Sequence, residues 1–162
     1  MTLAPPAAAG SPLRSVAAVA LPGVSPFELA VLCEVFGVDR TAEGLPAFDF
    51  AVVTEHPGRV ATEMGFALDV PDGLDRAAGV DLVAVPARPD RSPAGPAVVR
   101  LLRDTVARGA RVLSICTGAF VLGEAGLLAG RAPPTGCAPP NWRSDTRPRG
   151  STRTCSTSTT VR

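Results

Sequence analysis

The sequence predicts an α/β domain built on a mostly parallel sheet with helices on both faces. Three observations carry this. Short apolar runs at 16–21, 81–85 and 111–115 have the unbroken character of strands buried on both sides. Segments of helical periodicity at 25–37 and 95–108 follow the first two of them, and a further apolar helix follows the third. Pro, Gly and Ser punctuate the junctions. Strands that alternate with helices run parallel, because each helix carries the chain back along the sheet.

The elements follow in order. Residues 1–13 are an Ala- and Pro-rich leader, expected to be flexible. The first strand, 16–21, stops at Pro22-Gly23. Ser25 then caps a helix with Pro26 at its first position. Phe27, Val31 and Val35 lie along one stripe of it, Leu29, Leu32 and Phe36 along the next, and Gly37 closes it. Residues 48–54 form the second strand. Residues 59–70, with Met64-Gly65 near the middle, read as a hairpin or as two short extended pieces. Pro86 stops the strand at 81–85, and a Pro/Asp/Ser loop leads to the helix at 95–108. That helix turns Val98, Val99, Leu102 and Val106 inward and Arg100, Arg103 and Arg108 outward, and ends at Gly109. After the strand at 111–115, Cys116-Thr117-Gly118 makes a tight turn into a last apolar helix, 119–125, closed by Gly126.

Composition bounds the function. A chain of 162 residues, 46% hydrophobic, holds one domain with a real core. No apolar run approaches the ~18–20 residues that cross a bilayer. Residues 1–11 lack the basic start and apolar centre of a secretory signal, which places the protein in the cytoplasm, without membrane partners. The net charge of +1 gives no whole-chain electrostatic case for nucleic acid. It conceals a split at residue 130: 10 Arg against 14 acids before it, 6 Arg against only Asp145 after it. Beyond Gly130, Val161 is the sole Val, Ile, Leu, Met or Phe, so 131–162 is expected to be disordered. Every basic residue is Arg, and Ala, Gly, Arg and Pro abound, the mark of a GC-rich gene. Cys33, Cys116, Cys137 and Cys155 have no paired short spacing, and His56 is the one histidine. No metal site or cofactor is expected, and a cytoplasmic protein has little use for disulfides.

In an open parallel sheet, functional groups gather beyond the carboxyl ends of the strands. Two turns present reactive groups there. At Ser114-Ile115-Cys116-Thr117-Gly118-Ala119 a buried strand runs straight into a helix with Cys at the corner, the geometry of a nucleophile elbow. A helix N-terminus there favours thiolate over thiol and can hold an oxyanion. The alternative is a small buried cysteine that fills space. At Pro22-Gly23-Val24-Ser25-Pro26-Phe27-Glu28, the acid Glu28 falls in the first helical turn. It is either a surface carboxylate favoured by the helix dipole or a partner of Cys116. Gly23, Thr117 and Gly118, at the same two turns, complete the candidate ligand site.

These residues carry a resemblance. The pattern Pro22-Gly23-Val24-Ser25-Pro26-Phe27-Glu28, followed by Ser114-Ile115-Cys116-Thr117-Gly118-Ala119-Phe120-Val121-Leu122-Gly123-Glu124-Ala125-Gly126, resembles the ThiJ/PfpI (DJ-1/PfpI) superfamily. Within it, Phe27-Glu28-Leu29-Ala30-Val31-Leu32-Cys33-Glu34-Val35-Phe36-Gly37 is most similar to the sensing half of GlxA-type AraC-family transcriptional regulators. The resemblance spans roughly residues 14–131. It implies a flavodoxin-like three-layer α/β/α sandwich, class I glutamine amidotransferase-like, here truncated, and usually a homodimer. It also implies that Cys116 is the elbow cysteine and Glu28 the acid that hydrogen-bonds it. Two departures stand out: neither the remaining strands of the sandwich nor a helix-turn-helix half follows, and no histidine lies near the elbow. Relatives have an Ala-Thr-Thr-His-Trp-like stretch after Gly-Arg, where this chain reads Arg131-Ala132-Pro133-Pro134-Thr135-Gly136-Cys137. GC-rich codons for that stretch, read two bases later, give Arg-Ala-Thr-His-Trp-Leu, so 131–162 reads as an out-of-frame tail.

The function expected is therefore that of a ligand-sensing domain of a GlxA-type regulator without its DNA-binding half. It would bind a small molecule near Cys116 and have no specific affinity for nucleic acid by itself. The alternatives are a Cys-dependent enzyme resembling isonitrile hydratases, amidases or glyoxalase-like members, and a redox sensor acting through Cys116. The missing histidine disfavours hydrolysis.

Overall fold

The computed structural model describes residues 13–90, 92–128 and, as backbone, 158–161. Five parallel strands form the body of the sheet: β1 (Ser15–Val19), β2 (Asp49–Thr54), the two-residue β5 (Asp72–Gly73), β6 (Leu82–Val85) and β7 (Arg111–Ile115). A sixth, β8 (Ser158–Val161), pairs antiparallel with β7, giving the order β5-β2-β1-β6-β7-β8. A separate antiparallel hairpin, β3 (Gly58–Ala61) and β4 (Ala67–Val70), turns at the expected Met64-Gly65.

The strands are apolar throughout because both faces are covered. Side chains alternate along a strand, so β1 and the residues after it send Ala17, Val19 and Leu21 to one face and Ala18 and Ala20 to the other. On the first face they meet Val83, Val85 and Val112, under helices α2 (Pro96–Ala107) and α3 (Ala119–Glu124) through Val98, Leu102, Val121 and Leu122. On the second they meet Leu29 and Leu32 of helix α1 (Pro26–Leu32) together with Val60 and Val70 of the hairpin. The result is the three-layer, flavodoxin-like α/β/α arrangement. No helix of the described residues is long and apolar enough to cross a membrane.

The helix ends explain themselves locally. Beyond α2, the Gly109 N–H bonds the Val106 carbonyl and the Ala110 N–H reaches back to Thr105, a Schellman closure that needs the left-handed φ of +80° at Gly109. Three expectations need correction. The Ser25 hydroxyl makes no capping bond; its backbone N–H bonds the Ala87 carbonyl at 2.9 Å, stitching the end of β1 to that of β6. The first helix stops at Leu32 and continues as a π turn over Cys33–Gly37, where Gly37 packs so close to Phe50 that a Cβ would sit 2.9 Å from its ring. Of the two apolar stripes, Leu29 and Leu32 are buried, whereas Phe27 and Val35 are exposed.

Ser158–Val161 falls in the segment expected to be disordered, yet its backbone adds to β7, Val161 opposite Val112 and Ser158 opposite Ile115. Edge pairing draws on main-chain hydrogen bonds, which a segment's composition does not reveal. The rest of that segment, the out-of-frame reading and the leader up to residue 12 lie outside the described residues.

Candidate functional site

The carboxyl edge of the sheet collects the ends of β1, β6 and β7. After β1, Val24 N–H closes a turn onto Leu21, and Gly23 N–H bonds the Ala61 carbonyl of the hairpin at 2.8 Å. After β7, Cys116 to Gly118 form one 3₁₀ turn that leads directly into α3. Cys116 has φ of +51°, the one non-glycine residue with positive φ among the described residues. A left-handed L-residue costs roughly 1–2 kcal/mol, and such strain is how an elbow lifts its side chain out of the packed layer. The Cys116 thiol is exposed, so it does not fill space in the core.

Gly118 sets how deep the elbow lies. A Cβ built there would stand 2.3 Å from the Val85 carbonyl oxygen and 2.8 Å from that of Pro86, so only glycine lets the turn rest on the end of β6. Thr117 faces the loop after β6: its hydroxyl accepts the Arg88 N–H at 2.9 Å. Arg88 is 5% exposed. Its Nη2 donates to the Ser92 hydroxyl at 2.8 Å and reaches the Pro93 carbonyl at 3.5 Å, while Nε lies 2.9 Å from Asp90 Oδ1 outside hydrogen-bond alignment. The Ser92 hydroxyl, donating at 2.7 Å, holds the Asp90 carboxyl below its ordinary pKa; burial opposes it, and the Arg88 charge assists to a lesser degree. Gly23 completes this group, since a Cβ on it would meet Asp90 Cγ at 3.5 Å and Arg88 Cγ at 3.6 Å.

Beside these residues opens a cavity of about 220 Å³. Arg88, Ser92, Thr117 and Glu124 give it polar walls, and Pro93, Phe120 and Val121 apolar ones. Glu124 is tied down by the Ala94 N–H, 3.0 Å from Oε2. Among the residues singled out in the sequence, Thr117 lines this cavity; Gly23 and Gly118 shape its surroundings, while Cys116 and Glu28 lie outside its lining. Glu28 is half-buried, and its Oε2 is shut off from solvent without a hydrogen-bond partner. No hydrogen bond joins it to Cys116. His56 is exposed in the bend after β2, with β1 and β6 between that strand and β7. Among the described residues no group of His, Cys, Asp and Glu is arranged to hold a metal ion.

Arg88 was missed in the sequence. Its signal was its place: two residues past Pro86 at the end of a buried strand, with Asp90 and Ser92 close behind.

A doubly covered parallel sheet, with a strained exposed cysteine between strand and helix at its carboxyl edge, defines the elbow-bearing class of α/β sandwich. The comparisons narrow that class. No family model matches the chain. A stretch of 40 residues is 55% identical to "Uncharacterized protein in cpoL 5'region" of Streptomyces lividans, covering 25% of this chain and 28% of that protein's length. The crystal structure of an AraC family transcriptional regulator from Pseudomonas putida superposes with a TM-score of 0.57 at 29% identity, over 72% of each chain. A ThiJ/PfpI family protein from Pseudomonas syringae superposes with a TM-score of 0.61 at 20% identity, over 74% of this chain and 48% of its own. The chain thus spans about half the length of that protein. The described residues share their fold with DJ-1 superfamily and ThiJ/PfpI proteins.

Proposed function

We propose that the domain is the ligand-sensing half of an AraC-family regulator of the GlxA type, binding a small molecule at the elbow between β6 and β7. The observation that carries this is a cavity walled by Thr117 and α3, in a fold that resembles an AraC-family regulator at 29% identity over 72% of both chains. An occupant there touches the loop after β6 and the helix after β7 together, so its presence can alter how the two pack. In this reading the protein works in the cytoplasm as a homodimer, and DNA recognition belongs to a helix-turn-helix half outside residues 13–128. Of the arginines of the described domain, Arg40 and Arg76 are paired with Glu34 and Asp49, and Arg103 and Arg108 donate to the carbonyls of Ala125 and Val80.

The exposed, strained Cys116 favours a second reading, a Cys-dependent enzyme of the same superfamily. Thermal-shift screening of small metabolites separates the two. A ligand present at about a hundred times its Kd adds roughly 2.7 kcal/mol of stability. Under the sensing reading such a ligand raises Tm by several degrees, loses its effect in Phe120→Trp, which fills the cavity, and is recovered unchanged. Consumption of the compound that stops in Cys116→Ser would establish the enzyme instead.

A further inference from the structure

Among the described residues Arg88 is the one charged residue that is almost wholly buried, and its partners do not satisfy it. Taking a guanidinium out of water is costly unless its donors are aligned on acceptors, and an apolar side chain of similar size serves structure as well or better. Here the hydrogen bonds leave from Nη2, toward Ser92 and Pro93, while Nε is buried beside Asp90 without a bond. Asp90 is a partly exposed counter-ion. Its side chain is 51% exposed and is itself held by Ser92. A carboxylate oxygen therefore already stands 2.9 Å from the guanidinium of a residue that lines the cavity.

We propose that this cavity binds a small monocarboxylate with an apolar body, its carboxylate on the Arg88 guanidinium in place of Asp90 and its hydrocarbon part against Phe120 and Val121. Planar, bidentate recognition of carboxylate is what a guanidinium does best. The size follows from the volume. A cavity of about 150 Å³ accepts benzene, so 220 Å³ takes a molecule somewhat larger. The single charge follows from Glu124, which lines the same space and would repel a second anionic group. Such a ligand would reach both turns of the site, because the Arg88 N–H is held by Thr117 and the Arg88 stem packs on Gly23. The inference rests on the sensing reading and supplies the chemical class of its ligand.

Calorimetric titration of the full chain with benzoate, and with benzamide as its uncharged isostere, tests it. Benzoate is expected to bind at least about ten-fold more tightly, the worth of a charge-assisted hydrogen bond over a neutral one. Asp90→Asn, a change at a half-exposed residue, removes the internal competitor and should tighten benzoate several-fold while leaving benzamide unchanged. Arg88→Gln should abolish the preference, and should that variant fail to fold, the Asp90→Asn result decides alone. Equal binding of the two compounds, no benzoate binding at millimolar concentration, or no tightening in Asp90→Asn overturns the proposal. If the thermal-shift screen yields only neutral ligands that Phe120→Trp blocks, carboxylate recognition fails while the sensing reading stands. If no ligand of any class binds, both fail.

Discussion

Cys33 and Cys116 show how one residue type acquires two characters from its place in the chain. Cys33 begins the π turn after α1, packed beside Leu29 and Leu32, and burial pushes its thiol pKa up, with its own backbone N–H offsetting a smaller part. Cys116 stands on the elbow, exposed and with φ of +51°. Thiolate is the reactive species, and access limits the rate at which reagent meets it. With limiting iodoacetamide at neutral pH, Cys116 should therefore be alkylated at least about ten-fold faster than Cys33. Peptide mapping of partially labelled protein reads the ratio, and equal rates would mean that the elbow gives its thiol no advantage. The elbow was legible because a five-residue strand, a Cys-Thr-Gly corner and an apolar helix are contiguous. Arg88 was not. Its burial depends on Pro93, Asp90 and Thr117 coming together in space, and a lone Arg in a polar loop otherwise reads as solvated.

Elements obey the same division between local and non-local causes. The strands at β1, β6 and β7 could be located within a residue or two, because burial on both faces demands unbroken apolar runs and leaves Gly or Pro at their ends. Register and edge pieces could not. The two-residue β5 and the terminal β8 exist by pairing with β2 and β7, not by any pattern of their own. The two stripes of α1 look equally apolar in sequence, and only the position of the sheet and hairpin selects Leu29 and Leu32. Gly118 is where an element-scale constraint rests on a single atom. Gly118→Ala would place a methyl group 2.3 Å from the Val85 carbonyl, against backbone that cannot swing aside. The elbow would have to lift off β6, with an expected loss of about 2–4 kcal/mol, in the range of severe overpacking. Chemical denaturation measures it, and Gly44→Ala, with open space around its Cβ position but φ of +78°, is the control for backbone strain alone. A loss at Gly118 no larger than at Gly44 would mean that the elbow does not need its close seat on β6.

At the scale of the whole molecule, the parallel sheet must also be held at its amino edge, where no elbow or loop cluster ties the strands together. Asp81, just before β6, does this. Its Oδ2 accepts the N–H groups of Arg14 and Ser15 at 2.9 Å each and the Ser15 hydroxyl at 3.0 Å, while its own N–H is received by Ser15. The Arg14 and Ser15 N–H bonds hold the Asp81 carboxyl below its usual value of 3.8, with partial burial opposing and the Ser15 hydroxyl and Arg111 charge assisting. Because the folded-state pKa is the lower one, the unfolded chain takes up the proton first as pH falls. The stabilisation is complete above the unfolded value and disappears as pH descends through the folded one. Asp90 is lowered as well and contributes to the same acid limb, so the wild-type curve alone does not isolate Asp81. The difference between wild type and Asp81→Asn does. At neutral pH the variant should be less stable by about 1–3 kcal/mol, the loss expected for hydrogen bonds to a charged acceptor. On acidification from about pH 5 to pH 2 the two stabilities should converge, since the wild-type carboxyl is then neutral too. Urea unfolding of both proteins across that range reads the gap directly. A gap that persists undiminished at the acid end would show that Asp81 bridges β1 and β6 through its shape and not through its charge.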